Sequence, residues 1–109
     1  MTADDLARKV AKDLAPEFGK DLPARTDSVI SGEQTRGWTN PADWEFALTI
    51  SSLIVHTAGL AWDVYRETHD LPKVRSLLQA KIEAPKNVSE QDTAAIIDSV
   101  VENLKKSES

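Results

Sequence analysis

Apolar residues recur at helical spacing in four stretches of the chain, and each stretch is bracketed by residues that start or stop helices. Leu6, Val10 and Leu14, with Ala3, Ala7 and Ala11 beside them, form one stripe, and Thr2 followed by Asp5 supplies a cap at its start. The pattern predicts a helix over Ala3 to Ala15, ended by Pro16, with Phe18 folding back under the stripe. Asn40-Pro41-Ala42-Asp43 is the strongest start signal: an N-cap, a proline where no amide is missed, and an acid near the positive helix end. The helix it opens is predicted over Pro41 to Glu67. Apolar residues spread widely around its circumference, as expected of a central helix surrounded by others. Glu45, Thr49, Ser52, His56, Gly59, Asp63 and Glu67 fall in one narrow sector, a small-and-polar stripe that should meet water or a partner.

Two further helices follow after short breaks. Asp70 caps a stretch in which Leu71, Val74, Leu77, Leu78 and Ile82 face the core, predicted over Leu71 to Ala84 and stopped by Pro85. Ser89 and Asp92 start the last, over Glu90 to Lys105. In it Ile97, Val100, Val101 and Leu104 keep the 3.6 period while Asp98-Ser99 and Glu102-Asn103 fill the other side. The polar residues Lys105 to Ser109 should fray.

Between the first two predicted helices, Gly19 to Thr39 carries Gly19, Pro23, Gly32 and Gly37 with little periodicity, and reads as a long connector. Asp21-Leu22-Pro23 opens it, since the residue before a proline is pushed toward extended geometry. A structureless run of that length is unusual in a compact domain. The connector therefore either holds a short hairpin around Ser31-Gly32-Glu33 or serves as a functional loop tethered by Val29, Ile30 and Trp38. The expected architecture is all-α: a single four-helix domain spanning 1–109 with a long first connection.

Composition supports one core. A chain of 109 residues is shorter than a typical domain and should bury about two thirds of its extended surface, leaving about 6,000 Å² exposed. Eighteen acidic against thirteen basic residues give a net charge of -5, which argues against a broad nucleic-acid surface. The absence of cysteine removes disulfides, thiolate chemistry and Cys-based zinc sites. The mixed-charge start MTADDLARKVAKDL does not fit a secretory signal, so a cytoplasmic setting is expected. Phe46 to Trp62 lacks Asp, Glu, Lys and Arg, but it is short for a membrane span and includes Thr49, Ser51, Ser52, His56 and Thr57. No membrane role is expected.

Candidate chemistry is sparse. His56, Asp63 and Glu67 share a helix sector, yet seven residues span about 10 Å of axis, too far for His56 and Asp63 to grip one metal. No metal or cofactor is therefore expected, and no catalytic residue is assigned. His69 and Asp70 suit a helix boundary better than a proton-transfer pair, because adjacent side chains do not face the same way. The glycines do not form a phosphate loop.

Trp44 and Trp62 share an angular sector suited to packing beneath neighbouring helices. Arg25, Arg36 and Trp38 combine positive charge with a stacking ring, and they are the candidate contact residues of a protein-interaction or adaptor module. The expected partner is another protein, with a homodimer as a further option. The alternatives are a small-ligand or metal-responsive regulator using Ser52, His56, Asp63 and Glu67, which requires a pocket at that stripe, and an enzyme with Asp63 or Glu67 as general base.

Overall fold

The computed structural model describes residues 1–32 and 41–107, the side chains of 41–44 excepted. Among the described residues there are five helices: α1 (Ala3–Phe18), α2 (Leu22–Ser31), α3 (Pro41–Thr68), α4 (Leu71–Lys81) and α5 (Glu90–Ser107). The all-helical class holds, and the expected four-helix count is corrected to five.

The additional helix lies in the stretch read as a connector. Pro23 sits in the first turn of α2, where its missing amide costs nothing, instead of enforcing extended chain. Leu22, Thr26 and Ile30 recur every four residues. Leu22 and Thr26 are buried, and Ile30 packs against the core. A threonine at the middle position hid the stripe. Its hydroxyl donates to Ser51 Oγ on α3 at 3.4 Å, so the polar atom is partnered inside the fold. Gly32, at φ 73°, closes α2 in left-handed geometry, and its amide bonds back to Ser28 and Val29. Ser31-Gly32 is therefore a helix end and not a hairpin turn. Glu33, Arg36, Trp38, Asn40 and the side chain of Trp44 lie outside the described residues.

Helix boundaries shift for local reasons. The capping box at the start of α1 forms as expected, with Asp5 N donating to Thr2 Oγ1 and Thr2 N to Asp5 Oδ2, both at 3.2 Å. Pro16 does not end α1, which continues to Phe18. The proline lies on the exposed side, and Phe18 beyond it packs on Phe46 with ring centroids 6.4 Å apart. The α4 helix stops earlier than predicted: Ile82 turns extended and is buried, and Val88 N bonds to Pro85 O at 3.0 Å to close the following turn. Asp70 and Ser89 cap α4 and α5 as expected, accepting from Lys73 N and Asp92 N. Instead of fraying at Lys105, α5 runs to Ser107.

Each of the other four helices packs against α3. Ile50, Ile54, Ala58 and Ala61 of α3 are fully buried against Leu6 and Val10 of α1, Val74 and Leu78 of α4, and Ile96, Val100 and Leu104 of α5 within one core cluster. Glu45 to Thr68 has the length and mean hydropathy, 1.3, of a membrane span, but 39% of the qualifying window is buried inside the fold. The accessible surface is 6572 Å², close to that expected from chain length, and the radius of gyration is 13.4 Å. Polar bridges tie the layers: Arg8 to Asp27 joins α1 to α2 at 2.8 Å, Arg75 to Asp98 joins α4 to α5, and Asn103 to Asp13 joins α5 to α1 at 2.7 Å. Asn103 is thus buried and not on the outward side of α5 where its spacing placed it.

Candidate interaction surfaces

The polar stripe read from the spacing lies on α3. Glu45, Ser52, His56, Asp63 and Glu67 are all exposed along one line of the helix, with Thr49 and Gly59 half-buried at its margins. Asp63 faces Arg66 at 3.8 Å, one turn along the same helix. Among the described residues, no group of three or more His, Asp or Glu side chains is placed to hold a metal ion. His69 sits at the α3 terminus with φ 50°, and its ring meets Tyr65 edge-on at 5.1 Å, the helix-boundary place expected of it. Trp62 is half-buried on the core and lies 6.2 Å from Tyr65.

Arg25 is on α2, not on a loop. It reaches Asp21 at 3.7 Å and borders a cavity of about 250 Å³ where the end of α1, the start of α2 and α3 meet. Phe18, Leu22, Phe46 and Ile50 supply its apolar walls. That volume is slightly below the usual range for small-molecule sites.

Larger concavities lie at the two edges of the bundle. One, of about 680 Å³, runs between α1 and α2, with Pro23 and Ala24 along one wall and Arg8, Lys9 and Lys12 along the other. Arg8 is engaged there: its Nε donates to Asp27, and Asp5 lies 3.7 Å from its Nη1. The hydrogen bond to Asp27 is the main reason its guanidinium is held above its ordinary pKa. Lys9 and Lys12 are exposed and have no ion pair among the described residues. The other groove, of about 470 Å³, lies between the end of α4 and the start of α5, with Glu83 and Glu90 beside Ile82, Ala94 and Ile97.

None of Lys9, Lys12, Glu83 and Glu90 stood out in the sequence. Each is an ordinary charged residue until the neighbouring helix supplies the second wall. Compared with known proteins, the chain matches no protein-family model, no curated protein and no solved structure.

Proposed function

We propose that this chain is a small protein-interaction module that works by presenting a rigid helical surface to a partner protein in the cytoplasm. The observation that carries this reading is the α1–α2 groove: two lysines not engaged in ion pairs among the described residues stand over a shallow apolar wall of Pro23 and Ala24 in a chain whose overall charge is -5. Such an arrangement suits an acidic, partly apolar protein segment. The charges supply orientation and encounter rate, and the buried apolar contact supplies persistence. Arg25 flanks the same helix on its α3 side, and Arg36 and Trp38 remain part of the proposed contact region, outside the described residues.

Selection of a displayed peptide library on the immobilised full chain tests this. Acidic peptides with spaced apolar residues should be enriched, and Lys9→Glu/Lys12→Glu should weaken them roughly tenfold, as should added salt. A library yielding no saturable binder, or binders indifferent to both lysines, refutes the reading.

A further inference from the structure

The two edge grooves carry opposite charge. Lining the α1–α2 groove are three cations, Arg8, Lys9 and Lys12, against two anions, Asp5 and Asp27, a net of +1. Lining the α4–α5 groove are Glu83 and Glu90 with no Lys or Arg, a net of -2. Lys81 and Lys86, the nearest cations along the chain, are not part of that lining. Lys9, Lys12, Glu83 and Glu90 are all exposed.

The fold keeps these surfaces apart. Among the described residues α2 touches neither α4 nor α5, and α1 does not touch α4. Although α1 packs on α5, no ion pair joins Lys9 or Lys12 to Glu83 or Glu90 among the described residues, whereas a second copy brings the matching charge. Each groove is also flanked by helix rims, and a rim of one helix pair can seat in the groove of another, the geometry by which helices ordinarily pack. Ala84 and Ala94 would then lie against Pro23 and Ala24, placing a small apolar contact behind the charged pairs.

We propose that copies of this chain associate head to tail, the Glu83–Glu90 edge of one seated on the Lys9–Lys12 side of the α1–α2 groove of the next. This rests on the protein-interaction reading above and names the partner as a second copy. Because the two surfaces differ, each contact leaves one groove open at either end, so assembly proceeds beyond a dimer unless it closes into a ring.

Sedimentation velocity of the full chain across a wide concentration range provides the test. The weight-average mass should climb past that of two chains and fall back at high salt. Lys9→Glu/Lys12→Glu and Glu83→Lys/Glu90→Lys should each weaken association at least tenfold when alone, through like-charge contact. Their equimolar mixture should restore it, because each reversed groove then finds a complementary one. Glu90 lies in the first turn of α5, so Glu83→Lys alone, in the connector, is run beside the pair, with far-UV circular dichroism confirming retained helix. A wild-type chain that stays monomeric throughout, or association that the mixture does not restore, overturns the proposal. If the chain is monomeric yet acidic peptides still bind through Lys9 and Lys12, only the head-to-tail contact falls and the interaction module stands.

Discussion

Thr57 is fully buried in the middle of α3, and its hydroxyl has no hydrogen-bond partner among the described residues. A buried hydroxyl left unpaired costs roughly 1 to 3 kcal/mol, and valine has the same shape without it. Thr57→Val should therefore stabilise the domain by about 1 kcal/mol in urea unfolding, and a loss of stability would show that the hydroxyl is satisfied after all. The Thr26–Ser51 pair behaves oppositely. Each hydroxyl is fully buried and the two meet across the α2–α3 seam, so Thr26→Val should cost about 1 kcal/mol by stranding Ser51. Combining it with Ser51→Ala should cost less than the two single changes added, and strict additivity in that cycle would deny the coupling. At this scale the sequence is least legible. Thr26 reads as loop, Asn103 as outward-facing, and both are core positions because a partner far along the chain accepts the hydrogen bond.

Caps and stripes made most elements legible: the starts of α1, α4 and α5 carry their own hydrogen-bonding side chains, and these signals depend only on residues a few positions apart. What escaped was α2, ten residues between two glycines with a proline in its first turn. Those glycines define it from outside. Gly19, at φ 127° and ψ 146°, and Gly32, at φ 73°, occupy backbone regions that side chains disfavour, although space for a Cβ is open at both. The cost of substitution is therefore backbone strain alone. Gly32→Ala should lower stability by about 1 kcal/mol, since the left-handed region tolerates other residues modestly. Gly19→Ala should cost more, about 2 kcal/mol, because its region is nearly confined to glycine. Thermal unfolding of both variants checks the order, and equal melting temperatures would contradict it.

Across the whole molecule, α3 is the element every other helix shares, while α2 and α4 sit at separate edges and bury little: Leu22 and Thr26 in one, Val74 and Leu78 in the other. Amide hydrogen exchange should accordingly be slowest in the buried middle of α3 and in α5, with α2 and α4 opening at free energies lower by at least about 1 kcal/mol. Uniform protection across all five helices would indicate a single cooperative unit instead. The same layout explains where sequence reading succeeded and where it stopped. Helical class, the central place of the Pro41–Thr68 segment and its solvent-facing polar line follow from periodicities and caps, which act over one or two turns and leave a mark in the residue order itself. The fifth helix, the burial of Thr26 and Asn103, and the pairing of Lys12 with Pro23 or Glu83 with Ala94 across a groove belong to the tertiary structure. They depend on which faces of distant helices meet, and a hydroxyl, an amide or a charge takes its role from the neighbour that packing brings to it.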